Sequence, residues 1–293
     1  MSNIIEFARE RISQSPLTTD PWDYLYVENF LPEEFYDELS KETMSLLNHD
    51  ELKKNEKTKV SLYDTRKSDE DQSMKNNVEK VCRGGDLGVN WLGSTRPDHA
   101  LDVLPRASEF FKIFNDKVFR DLLSVKFKNS GRCGTVPQPK LTCTYAAYDV
   151  HTPGYTYKIH CDSGKKILSI IFYLAAKGDD ESLGTRIYPG HIVPGDLDYD
   201  KDCVKILPYK PNSIFFFSRT NEKWKDDDGV ERMKISNHAV QHKSTKTYLR
   251  RTIQLCFMDR LNGAERRKIY KHKLGYREVG QKQKNGLSSM TGD

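Results

Sequence analysis

The residues able to do chemistry gather around His160. In Tyr157-Lys158-Ile159-His160-Cys161-Asp162, an imidazole and a carboxylate stand two positions apart. On an extended segment, side chains at i and i+2 project to one face, so His160 and Asp162 point together. Such a pair supplies two of the three ligands of a facial two-histidine, one-carboxylate iron(II) site, which keeps positions open for substrate and oxygen. A His-x-Asp alone also occurs by chance, as surface or hydrogen-bonded structure. Cys161, between the two, points the other way and reads as structural.

The elements that must hold this pair come from the pattern of apolar residues. The continuous apolar run Lys166–Leu174 follows closely and reads as a buried strand. From about Cys133 onward, short strands alternate with turns. The strands are Leu141–Tyr148, the His160 segment, Arg186–Tyr188, Val204–Leu207, Ile214–Phe217, Ile235–Val240 and Arg250–Met258. His151-Thr152-Pro153-Gly154 reads as a turn, and Arg219 to about Lys234 as a charged loop. Many short strands at this spacing predict an antiparallel sandwich or jelly roll.

Before Cys133 the pattern is mainly helical. A short charged helix opens the chain, and Tyr24–Val27 is a strand. Pro32 followed by Glu33 and Glu34 marks a helix start, since proline fits the first turn and carboxylates favour the positive end of the dipole. Pro105 opens another helix, with Phe110, Phe111, Phe114, Val118 and Leu122 three or four apart as a core stripe. Residues 48–80 are lysine-rich and polar and read as an insert.

Composition sets outer limits. The 293 residues are 37% hydrophobic and 30% charged, ordinary for a soluble globular protein. The length prior suggests roughly two domains, although single β barrels run to about 200–250 residues. The net charge is +5, and residues 259–293 hold nine Lys and Arg against four Asp and Glu, a surplus of the same +5. The body is therefore formally neutral. The basic tail reads as a solvated terminus and supports a nucleic-acid partner only weakly. None of the six cysteines forms a CxxC pair, which argues against a zinc ribbon. The longest apolar stretch is too short for a bilayer, which needs about 20 residues. Charged residues near the start argue against a signal peptide. A cytoplasmic protein with reduced thiols is expected.

Further along, a lone histidine, His238, stands at the head of a late strand, and Arg250 heads the last one. In this order the chain resembles the iron(II)- and 2-oxoglutarate-dependent oxygenases, in their prolyl-4-hydroxylase-like branch. The resemblance runs from about Tyr145 to Met258, with a weaker echo at Tyr24–Pro32. It implies a mainly β (α+β) fold, a double-stranded β-helix (jelly roll) with supporting N-terminal helices. Residues 1–130 would form the support region, 131–260 the catalytic core and 261–293 the basic tail.

The resemblance also implies roles. His160, Asp162 and His238 match the metal ligands. Arg250 matches the cation that pairs with the distal carboxylate of 2-oxoglutarate, and Thr252 lies two further on the same face. Tyr173 and Tyr148 match pocket tyrosines. His242 competes with His238, but it lies only eight residues before Arg250, short for the family. Arg251 competes with Arg250, since one of two neighbours on a strand faces inward. His191 reads as exposed, and Arg186 as a rim ion pair or a contact for an acidic substrate group.

The implied cofactors are Fe(II), 2-oxoglutarate and O2. The implied reaction is hydroxylation of a peptidyl or free amino-acid substrate with oxidative decarboxylation of the 2-oxo acid. Asp162 argues for a hydroxylase, because halogenating relatives carry a small residue there. Two alternatives stay in view. A nucleic-acid dealkylase of the same scaffold would carry a second arginine where Cys256 stands. A non-catalytic cupin-like module would lack a ligand or the arginine.

Overall fold

Strand parity decides which side chains of the long central strands meet the helices and which meet a second sheet. In the computed structural model, the described residues are 2–45, 59–60, 88–90, 105–131, 133, 142–151, 156–162, 166–225, 228–241 and 249–258. The polar insert lies outside them apart from residues 59–60, and so does the tail. Helices α1 (Ser2–Gln14), α2 (Glu33–Ser45), α3 (Pro105–Asn115) and α4 (Lys117–Lys126) carry apolar residues at helical spacing. Ala8, Ile12, Phe35, Leu39, Phe110, Phe114, Phe119 and Leu123 are all buried. Together they cover one face of a large sheet.

That sheet contains β1 (Tyr24–Val27), β2 (Lys59–Val60), β3 (Gly88–Asn90), β4 (Thr142–His151), β6 (Lys166–Tyr173), β9 (Ser213–Ser218) and β13 (Arg250–Met258). Its order is β1-β9-β6-β13-β4-β2, with β3 also on β4. A smaller sheet holds β5 (Thr156–His160), β7 (Thr185–Ile187), β8 (Lys205–Leu207) and β12 (His238–Gln241), in the order β5-β12-β7-β8. Every pairing is antiparallel.

Along the chain, β4 to β9, β12 and β13 fall in the large, small, large, small, small, large, small and large sheet. Eight strands shared in that way form a double-stranded β-helix, a jelly roll. The N-terminal region also adds a strand to the large sheet, since β1 pairs with β9.

Both faces of the large sheet are covered, so β6 is apolar almost throughout rather than alternating. Leu168, Ile170 and Phe172 face the helices, where Phe172 packs 4.8 Å from Phe110 between ring centroids. Ile171 and Tyr173 face the small sheet, with Phe215, Phe217, Ile187 and Leu207.

Two sequence expectations change. The helix read from Pro105 through Leu122 is two helices. Asp116 leaves the helical region (φ −66°, ψ 130°), and its carboxylate accepts from the Phe119 backbone N–H at 2.7 Å, capping α4. The charged loop after Arg219 is a hairpin of β10 (Asn221–Lys225) and β11 (Glu231–Ile235), with Gly229 at φ +76° between them. The predicted strand Ile235–Val240 is accordingly divided between β11 and β12.

Asn212 ties the N-terminal segment to the sheet. At φ 53° it occupies the left-handed region, which asparagine tolerates better than most residues. Its amide oxygen accepts from Leu31 N–H at 2.9 Å, and its amide nitrogen donates to Leu31 O at 2.7 Å. Replacing it by alanine strands two buried backbone groups. We expect Asn212→Ala to lose about 2–3 kcal/mol of stability, measured from urea midpoints. A loss under about 0.5 kcal/mol would show that water replaces both bonds.

Candidate functional site

The open end of the jelly roll brings together residues distant in sequence. His160 ends β5 and His238 begins β12, and the register pairs them directly. Their ring centroids are 4.2 Å apart. Asp162 lies two residues past the end of β5. One ligand atom from each of His160, Asp162 and His238 lies within 4.8 Å of those of the other two. Of the described residues, this is the one His/Cys/Asp/Glu grouping able to hold a metal ion.

Backbone carbonyls set both tautomers. His160 Nδ1–H donates to Lys158 O and His238 Nδ1–H donates to Ser236 O, each at 2.9 Å. A carbonyl can only accept, so each Nε2 keeps its lone pair for a metal. Burial pulls the His238 imidazole down to about 3 and also lowers His160. Both rings are therefore neutral at pH 7, and no proton has to leave before a metal binds.

Asp162 is held on both oxygens. Lys166 Nζ donates to Oδ1 at 2.7 Å, and Ser169 Oγ–H donates to Oδ2. Burial pushes its carboxyl up, but the Lys166 ammonium and the histidines outweigh burial and hold it well below the usual carboxylate range. Two neutral imidazoles and one ionised carboxylate on one face form the facial set suited to Fe(II).

The surroundings are apolar on one side and open on the other. The Phe217 ring is 4.5 Å and the Trp22 ring 6.4 Å from the His238 ring. His238 and Asp162 are buried, whereas the His160 side chain is 25% exposed. Tyr157, 48% exposed, stands edge-on 4.5 Å from the His160 ring and flanks the opening.

The hairpin β10–β11 is rooted in the same place. Arg219 Nε donates to Asp162 O at 3.2 Å, and Cys161 Sγ donates to Thr220 O at 3.1 Å. Ser236 N–H donates to Thr220 O, closing the base of the hairpin. Cys161 thus turns its thiol to the base of the hairpin rather than to the His160–Asp162–His238 group.

Deeper between the sheets is a second polar group. Arg250 and Thr252 lie on the inward row of β13, where Thr252 stands opposite Tyr173 and Asp149. Arg250 is fully buried. Its Nε donates to Leu183 O at 2.6 Å and its Nη1 donates to His151 Nδ1 at 2.8 Å. The guanidinium carbon lies 5.5 Å from the Tyr173 ring centroid. The Tyr173 hydroxyl bonds to Thr185 Oγ1 at 2.6 Å and accepts from Thr185 N–H at 3.1 Å.

Arg250 Nη2 and Thr252 Oγ1 are buried without a hydrogen-bond partner. An unmet guanidinium nitrogen and an unmet hydroxyl two residues apart on one strand row fit a carboxylate group. Gly184 shapes this wall, because a Cβ on it would sit 1.5 Å from Leu207 O. Glycine there lets the segment carrying the Leu183 carbonyl lie against β8.

The remaining expected residues fall in different places. Arg251 has the opposite parity to Arg250, lies 3.9 Å from Asp179, and receives the Tyr209 hydroxyl on its backbone carbonyl. Tyr148 pairs with Ile253 on β13, and its side chain lies outside the described residues. His242 also lies outside them. His191 is exposed, and Arg186 pairs with Asp200 at 3.5 Å.

Three residues near the site were not singled out from sequence: His151, Lys166 and Ser169. His151 is the last residue of β4 and not part of a turn. The usable signal was its place on a strand facing the one that Arg250 opens.

No protein-family model and no curated protein match the chain. Among solved structures it is similar to AviO1 from Streptomyces viridochromogenes Tue57, at 12% identity and a TM-score of 0.44, covering 86% of this chain and 94% of that one. It is also similar to a Pseudomonas putida prolyl-4-hydroxylase, at 10% identity and a TM-score of 0.40, covering 87% and 99%. A third is a full-length Neurospora crassa protein solved in complex with alpha-KG, at 9% identity and a TM-score of 0.42, covering 88% and 80%. These likenesses are distant, and the chemistry of the site is read from its own residues.

Proposed function

We propose that the chain is an Fe(II)- and 2-oxoglutarate-dependent oxygenase that hydroxylates a peptidyl, prolyl-like, or free amino-acid substrate. The observation that carries this reading is the convergence of His160, Asp162 and His238 on one another. The buried Arg250 Nη2 and Thr252 Oγ1 support it from the side of the 2-oxo acid. The choice of substrate class rests on the resemblance of the sequence to the prolyl-4-hydroxylase-like branch.

In this proposal His160 Nε2, His238 Nε2 and Asp162 Oδ1 hold the metal, and Ser169 fixes the second carboxylate oxygen. When bound, iron(II) supplies O2 activation, with 2-oxoglutarate leaving as succinate and CO2 and one oxygen atom going to the substrate. Arg250 Nη2 and Thr252 Oγ1–H donate to the distal carboxylate of the 2-oxo acid, and the Tyr173 ring supports the guanidinium. Phe217 and Trp22 keep water from the His238 side. Substrate approaches past Tyr157, where His160 is partly exposed. Residues 131–260 form the catalytic core and residues 1–130 its support.

Succinate formation tests the proposal. The chain with Fe(II) and 2-oxoglutarate is assayed against peptides, free amino acids and oligonucleotides. We expect stimulated turnover from a peptide or amino acid. Anaerobically, the chain with both components should also show a weak visible charge-transfer band. Absence of both the band and turnover would reject the proposal, and stimulation by oligonucleotides alone would reject the substrate class.

A further inference from the structure

We propose that His151 is a positioning residue for recognition of the distal carboxylate, acting through Arg250. This rests on the reading of the site given above. His151 and Arg250 face each other across β4 and β13 and are 1% and 0% exposed. Arg250 cannot give up its proton, so its Nη1 must donate and His151 Nδ1 must accept. His151 is therefore neutral, with its proton on Nε2. That is the opposite tautomer to His160 and His238, whose Nδ1 atoms donate to carbonyls.

The guanidinium is planar, so two bonds on different nitrogens fix its plane. Leu183 O takes Nε–H and His151 Nδ1 takes an Nη1–H, and the direction of Nη2 follows. With the bond to Leu183 alone, the group can swing about the Cδ–Nε bond and Nη2 loses its aim. His151 thus acts as the second peg that points Nη2 at the carboxylate.

The test is direct binding, with Mn(II) in place of iron. The chain is titrated with 2-oxoglutarate and with 2-oxobutyrate, which keeps the 2-oxo acid end but lacks the distal carboxylate. His151→Phe keeps a ring and loses both nitrogens. His151→Asn keeps an acceptor for Arg250, because its Oδ1 takes the place of Nδ1.

His151→Phe is expected to weaken 2-oxoglutarate binding about tenfold or more, leaving 2-oxobutyrate and Mn(II) binding unchanged. His151→Asn should recover most of the loss. Should His151→Phe not fold, His151→Leu, which has no acceptor, must show the same selective loss. Equal weakening of both acids, or of neither, overturns the role of His151 alone. A native chain that binds 2-oxoglutarate no better than 2-oxobutyrate overturns the role and the reading of the site together.

Discussion

Asp162→Ala should bind iron(II) at least about 100-fold more weakly than the native chain and should convert no 2-oxoglutarate above background. The magnitude follows from position. Loss of a group that merely orients a metal ligand costs about 10- to 100-fold in affinity, and Asp162 is proposed as a ligand itself. It is the single carboxylate of the His160–Asp162–His238 group, so nothing else there offsets the charge of the ion.

The substitution also releases the Lys166 ammonium and leaves the Ser169 hydroxyl without its acceptor. A stability loss of about 1–3 kcal/mol is expected with it, so affinity must be measured where the variant is folded. Asp162→Asn separates the two effects. It keeps the volume and an acceptor for Ser169, and should recover stability but not metal affinity. Stoichiometric iron and undiminished turnover in Asp162→Ala would remove these residues from the metal site.

Arg250→Met should raise the KM for 2-oxoglutarate about 100-fold or more while leaving metal binding intact. Removing one member of a buried, hydrogen-bonded charge pair costs about 2–5 kcal/mol, which is roughly 30- to several thousand-fold. Arg250→Lys should rescue little, because one ammonium on a flexible stem cannot reach Leu183 O, His151 and a carboxylate as a planar fork does. Thr252→Val, losing one neutral donor, should cost only a few-fold. Arg251→Met is the control, since that side chain lies near Asp179 on the other face. If Arg251→Met raised the KM and Arg250→Met did not, the assignment of the inward arginine would be reversed.

The grouping of His160, Asp162 and His238 was legible in the sequence because few residue types can do the chemistry proposed for them. His160 and Asp162 stand two apart, and His238 heads a strand at a workable distance. The choice between Arg250 and Arg251 was not legible, because alternation has two phases and the sequence does not say which row faces in. Ile253, buried under the helices, and Thr252, opposite Tyr173, fix that phase.

The hairpin β10–β11 escaped notice for a related reason. A two-stranded ribbon with Glu222, Lys223, Glu231 and Arg232 along it buries little and lacks the apolar alternation that marks a strand in a layered sheet. His151 was hidden by Pro153 and Gly154, whose turn signal reached back over it, although it ends β4; those two residues lie outside the described ones. The break at Asp116 was written as a helix-capping residue inside an otherwise unbroken aromatic stripe, and the stripe prevailed in the reading.

The root of that hairpin has a thermodynamic consequence. Its two ends are stitched to the segments that carry Asp162 and His238, through Arg219, Thr220 and Ser236. A molecule that grips the ribbon and favours one placement of its base would therefore alter the grip on an ion held as proposed. Linkage is reciprocal, so that ion would alter the hold on the molecule by the same factor. Loading at the mouth and loading at the centre are two readings of a single free energy.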